Sequence, residues 1–139
     1  MKTYHLSDLL SVYTGRLVSL RGVDAVYDLG SYLTGETLFT HQLGRACEQA
    51  RPCLEAQFPW LLKVASLVPA LDALLEDEAK TPEAAVTEWV ASVAFTLDVP
   101  QSLDVRPMAL DDRSPRDPHE ELVAMVGADR VAVVEVPDA

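Results

Sequence analysis

Twice in the first 35 residues an apolar helical stripe runs into the dipeptide Thr-Gly, at Thr14-Gly15 and Thr34-Gly35. Leu6, Leu9, Leu10 and Tyr13 recur at helical spacing before the first, with Ser7 as candidate cap. Val23, Val26, Tyr27 and Leu33 do so before the second. Glycine just past such a stripe ends a helix because it tolerates left-handed backbone. The sequence therefore predicts two short helices joined by a turn through Arg16 and Ser19. Two copies are too few for a repeat architecture.

Thr40 is the candidate cap of a third helix. Its inner stripe is Leu43, Ala46, Cys47, Ala50, Leu54 and Phe58. Pro52 lies opposite that stripe and is expected to kink or split the helix, because it removes a backbone donor. Pro59 opens a fourth helix with Trp60, Leu61, Val64 and Val68, and Pro69 is expected to bend it before Leu71, Leu74 and Leu75. Thr81-Pro82-Glu83 combines a cap, a first-position proline and a first-turn acid, ahead of Val86, Trp89, Val90 and Val93.

After Leu97 the period changes. Leu103, Val105 and Met108 stand among polar residues as in a strand. Asp111 to Arg116 reads as a loop. Asp117-Pro118-His119-Glu120 reads as a capped start of a short helix, and Arg130 to Val136 as a β-branched strand. The expected class is α+β in one domain over residues 1–139. Residues 1–98 form a mainly helical N-terminal body. Residues 99–139 form a small C-terminal two-stranded β element with a short helix between the strands, paired in parallel by default.

The formal net charge is −11. It lies wholly beyond Arg51, since Lys2, Arg16, Arg21, Arg45 and Arg51 balance Asp8, Asp24, Asp28, Glu36 and Glu48. Direct nucleic-acid binding and attachment to an anionic membrane are disfavoured. An anionic ligand suits the balanced part, and a basic partner suits the acidic part. Cys47 and Cys53 are the only cysteines and point away from each other on a helix, so buried free thiols of a reducing compartment are expected. No signal peptide or spanning segment is read, and a cytoplasmic location is expected.

Phosphate-loop, dinucleotide, nucleophile-elbow and zincin motifs are all missing from the sequence. His5, His41 and His119 lack partners at ligand spacing, so no metal or other cofactor is expected. One polar cluster stands out: Thr40, His41, Gln42 and Arg45 around a helix start, with Thr14 and Arg16 at another helix end. Helix starts favour anions, and arginine adds charge-assisted contacts. These six are the candidate ligand-binding residues, with Tyr13, Tyr27 or Tyr32 offering a ring to stack on a base. The competing reading is structural: Thr40 caps, His41 fills a gap and Arg45 pairs with Glu48. No nucleophile accompanies His41, so the chain reads as a binding protein rather than an enzyme.

Leu6-Ser-Asp-Leu-Leu-Ser-Val-Tyr-Thr-Gly-Arg-Leu-Val-Ser19, Val26-Tyr-Asp-Leu29 and Tyr32-Leu-Thr-Gly-Glu-Thr-Leu-Phe-Thr-His-Gln-Leu43 resemble an uncharacterised family of small tailed-phage and prophage proteins. Glu121-Leu-Val-Ala-Met-Val-Gly-Ala-Asp-Arg-Val131 is similar to that family's ending. The resemblance covers roughly the first 60 and last 25 residues and carries no catalytic role. It implies a phage or prophage accessory protein acting by binding in the host bacterial cytoplasm. The first expectation is counter-defence by sequestering a nucleotide-type immune signal, with an oligomer able to complete the pocket. The alternative is an acidic, anti-CRISPR-like inhibitor that docks on a basic host defence protein through Glu76, Asp77, Glu78, Asp111 and Asp112.

Overall fold

The computed structural model describes residues 1–109, Arg113 and residues 118–126. The class is α+β: a mainly helical body with one two-stranded sheet. In chain order the elements are β1 (Lys2–His5), α1 (Leu6–Thr14), α2 (Val23–Thr34), α3 (Leu43–Gln57), α4 (Val68–Glu76), α5 (Pro82–Leu97), β2 (Ser102–Val105) and α6 (Pro118–Val126). Two 3-10 helices, Thr40–Gln42 and Pro59–Leu67, lead into α3 and α4.

Helix α1 is the centre, buried from Leu6 to Tyr13. Its apolar side joins Leu29, Leu33, Leu54, Leu61, Val64 and Trp89 in one core. Its polar side is buried too, and the following turn satisfies it. Ser7 Oγ accepts from Leu20 N at 3.0 Å, and Ser11 Oγ accepts from Val18 N at 2.8 Å. The Asp8 carboxylate accepts from Ser19 Oγ at 2.5 Å and from Arg21 Nε at 3.0 Å. Buried polar groups are tolerable when bonded in this way. The helix cap is His5, whose Nδ1 accepts from Ser7 N at 3.0 Å, and not Ser7 itself.

The repeated Thr-Gly is one device used twice. Gly15 and Gly35 adopt left-handed backbone (φ 72° and 73°) and donate to Ser11 O and Ser31 O. The preceding threonine hydroxyls donate back to Leu10 O and Gly30 O. They also accept from the amides of Arg16 and Glu36 just beyond the turn. Each Thr-Gly pair thus closes the last helical turn from both sides.

Pro52 does not split α3, which runs on to Gln57. Pro52 and Glu48 are both exposed, so the carbonyl that loses its helical donor lies on the solvent side. Pro59 opens a helix as expected, but its first nine residues are 3-10, and Pro69 lies in the first turn of α4 instead of bending a longer helix. The paths Thr40–Gln57 and Pro59–Glu76 meet at 119°. No single helix among the described residues is long and apolar enough to cross a membrane. Leu54 is fully buried and Phe58 half-buried, as the stripe predicted.

The start of α5 matches its expectation: Thr81 Oγ1 accepts from Ala84 N at 3.1 Å, with Pro82 next. Thr81→Ala is expected to lower stability by about 1 kcal/mol in urea denaturation, while Thr81→Ser stays near wild type.

The sheet has a partner the sequence reading did not supply. Strand β2 alternates as expected, with Leu103 and Val105 buried between exposed Ser102 and Asp104. It pairs antiparallel with β1, Lys2 opposite Val105 and Tyr4 opposite Leu103. The described sheet therefore joins the N-terminus to mid-chain. The expected strand Arg130 to Val136, and Asp111 to Arg116 except Arg113, lie outside the described residues. The helix between them, α6, is present.

Candidate functional site

Helices α1, α2 and α3 line a half-open cleft of about 440 Å³. Buried Val12, Val26 and Cys47 form its floor, with half-buried Leu43 beside them. Thr40, Glu48, Arg51, Arg16 and Leu17 form its rim. Burial pushes the Cys47 thiol up from its ordinary pKa, which keeps it in the neutral form. The volume and apolar lining suit a small organic ligand.

Two arginines stand at this rim. Arg16 pairs with Asp72 of α4 at 2.5 Å, and both side chains are well exposed. Such a pair contributes little and is readily exchanged for another anion. The Arg51 guanidinium carbon lies 5.1 Å from the centre of the Tyr13 ring, and Arg51 makes no ion pair among the described residues. The Tyr13 hydroxyl donates to Glu55 at 2.6 Å, which fixes the ring in the cleft wall.

The remaining expected site residues build something different. All five N–H donors of Arg45 are used. Nη1 and Nη2 reach the two Glu36 oxygens at 2.7 and 2.9 Å. Nε and Nη2 reach the two Glu121 oxygens at 3.0 and 2.7 Å, and Nη1 reaches Gln49 Oε1 at 3.1 Å. Guanidinium has five donors and no acceptor, so an incoming anion finds none left. Two carboxylates around one cation also leave the cluster net negative. The hydrogen bonds to Glu36 and Glu121 hold the Arg45 pKa further above its already high value.

Gln42 belongs to the same cluster. It is buried, accepts from Phe39 N at 3.1 Å and donates to Glu121 at 3.0 Å. His41 Nε2 lies 2.7 Å from the Pro118 carbonyl, so that nitrogen carries the proton and donates. Together Arg45, Gln42 and His41 dock α6 onto the start of α3.

The expectation that Arg16 and Arg45 converge on one anion is therefore corrected. Arg16 lines the cleft, and Arg45 lines a neighbouring hollow with His41, Glu48, Glu121 and Ala124. The structural reading of Arg45 holds, but with Glu36 and Glu121 as partners in place of Glu48. Thr14 lines the cleft, yet its hydroxyl is spent on the helix end. Thr40 lines both hollows and does not cap α3; its hydroxyl accepts from Tyr27 at 3.1 Å. Of the three candidate rings only Tyr13 lines the cleft, for Tyr32 donates to Val105 O at the sheet.

Arg51 and Gly44 are the site residues that the sequence reading missed. A signal for them existed: with Thr40 and the core-stripe residue Cys47, Gly44 and Arg51 follow helical spacing along one edge of that stripe.

Residues 4–64 match a family model described as a domain of unknown function, DUF7736. The matched stretch holds every residue that lines the cleft. No curated protein and no solved structure matches the chain.

Proposed function

We propose that this chain is a binding protein whose cleft between α1, α2 and α3 captures a small anionic ligand of nucleotide type. One observation carries the reading: the apolar floor of a half-open cleft with Arg51 at its rim, lying over Tyr13 and paired to no carboxylate among the described residues. The floor suits a flat ring, and Arg16 and Arg51 suit phosphate oxygens bidentately. The biological setting we assign is counter-defence by a phage or prophage accessory protein in the host cytoplasm. That setting rests on the sequence resemblance alone.

Mass spectrometry of small molecules released from the natively purified protein tests the reading. A phosphate-bearing compound is the expected find. Adding it back at about 100 times its dissociation constant should stabilise the protein by about 2.7 kcal/mol. Arg51→Ala is expected to leave unliganded melting near wild type, since Arg51 is exposed, and to weaken binding by about ten-fold or more. Full capture by that variant, or a purified protein carrying nothing and stabilised by no nucleotide, would sink the reading. Loss of counter-defence on charge reversal at Glu76 and Glu78, both exposed on α4 and its exit, would favour the acidic inhibitor instead.

A further inference from the structure

Three charged side chains line the cleft: Arg16, Glu48 and Arg51. Arg16 is paired with Asp72. Glu48 and Arg51 are exposed and form no ion pair among the described residues. They stand three positions apart on α3, where helical geometry puts Cβ atoms about 5–6 Å apart on one face. Glutamate and arginine at that spacing are well placed to pair with each other. Here Arg51 lies over the Tyr13 ring instead, and the Glu48 carboxylate is left at the cleft edge without a cation among the described residues.

Both charges are felt at the floor between them. Burial does most to raise the pKa of the Cys47 thiol, while Arg51 pulls it down and Glu48 pushes it up. A ring seated on Val12, Val26 and Cys47 therefore lies in the field of a cation and of an anion.

For a ligand that is only an anion, Glu48 is a hindrance, because its charge repels phosphate one turn from Arg51. The carboxylate favours binding only where the ligand also presents N–H donors. An ionised carboxylate accepts and never donates, and its two oxygens match two neighbouring N–H groups. Among the common bases guanine alone carries two adjacent donors on one edge, N1–H and the 2-amino group. Adenine sets the N1 lone pair beside its 6-amino group, and cytosine sets N3 beside its 4-amino group. A carboxylate at either edge gains one hydrogen bond and faces a lone pair. Uracil offers a single N–H between two carbonyls.

We infer that Glu48 is the specificity-determining residue of the cleft and selects a guanine base, with the phosphate directed to Arg51. This rests on the proposed nucleotide reading of the cleft and names its base.

Calorimetric titration of the whole chain with GMP, IMP and AMP tests it. GMP should bind the wild type at least about ten-fold tighter than AMP, as expected for a hydrogen bond to a charged group. IMP keeps N1–H but lacks the 2-amino group, and should fall between them. Glu48→Gln should weaken GMP by about ten-fold or more. AMP should bind that variant as well as the wild type or better, since an amide offers adenine one donor and one acceptor. Melting should stay near wild type, because Glu48 is exposed. A carboxylate that is merely solvated behaves differently: neutralising it tightens both nucleotides alike by removing repulsion toward phosphate. That outcome overturns the inference, as do equal affinities of the wild type for GMP and AMP, IMP bound as tightly as GMP, or a guanine preference that survives Glu48→Gln. In each of these cases the nucleotide reading stands. If the wild type binds none of the three, the nucleotide reading fails and the inference falls with it.

Discussion

Arg45→Ala is expected to destabilise the fold by about 3–5 kcal/mol, the range for removing one partner of a buried ion cluster. The side chains of Arg45, Glu36 and Glu121 are 13%, 9% and 2% exposed, so water screens them poorly. Removing the guanidinium leaves two carboxylate groups facing one cavity in low dielectric. Arg45→Lys should recover only part of the loss, since an ammonium cannot bond two carboxylates bidentately at once. Combining Arg45→Met with Glu121→Gln should cost less than Arg45→Ala alone, because the uncompensated charge is reduced along with the cation. Urea denaturation would give all three values. A loss under about 1 kcal/mol for Arg45→Ala would mean the cluster contributes no more than an exposed pair. Hydrogen exchange should rise in α6 before it rises in α1, because Glu121 and the Pro118 carbonyl attach that helix to Arg45, Gln42 and His41.

Trp89→Ala is expected to cost about 3–5 kcal/mol, through lost transfer energy and the cavity left behind. Trp89 is fully buried and is the largest side chain of the core. It also ties α5 to the chain before α4, since its Nε1 donates to Leu67 O at 2.9 Å. Trp89→Phe keeps most of the apolar volume but leaves that carbonyl without its donor, so about 1–3 kcal/mol is expected. The two tryptophan variants should leave Arg45 and α6 undisturbed as judged by local exchange. Their energies should add to that of Arg45→Ala if the two regions are independent.

The features legible in the sequence are those written within a few neighbouring residues. Thr81-Pro82-Glu83 starts a helix, and Thr14-Gly15 and Thr34-Gly35 stop helices, because caps and left-handed turns involve groups at most four positions apart. The inner stripe of α3 was readable for the same reason. Strand β1 was not readable. Four residues with exposed Lys2 and Thr3 give too short an alternation, and the partner strand is about a hundred positions away. The role of Arg45 was hidden likewise. Glu48, three residues on, is the obvious mate by helical spacing, yet it faces the hollows, while the partners are nine and 76 residues distant. The cleft was half legible. Thr14, Arg16 and Thr40 line it, but Arg51 needed the packing of α1 against α3 to bring it over Tyr13.

The pairing of Lys2–His5 with Ser102–Val105 bears on how the chain comes together during synthesis. Closing a loop of roughly a hundred residues costs on the order of 4 kcal/mol of chain entropy before the contact returns anything. Lys2–His5 must wait until Ser102–Val105 has been made before it has its partner strand. Until then Tyr4, buried in the finished fold, is open to water. Nascent chains stopped before Ser102 should remain sensitive to protease at Lys2–His5, while chains extended well past Val105 should acquire protection there. The order of protection would then run against the order of translation, with Lys2–His5 made before Ser102–Val105 but secured only with it.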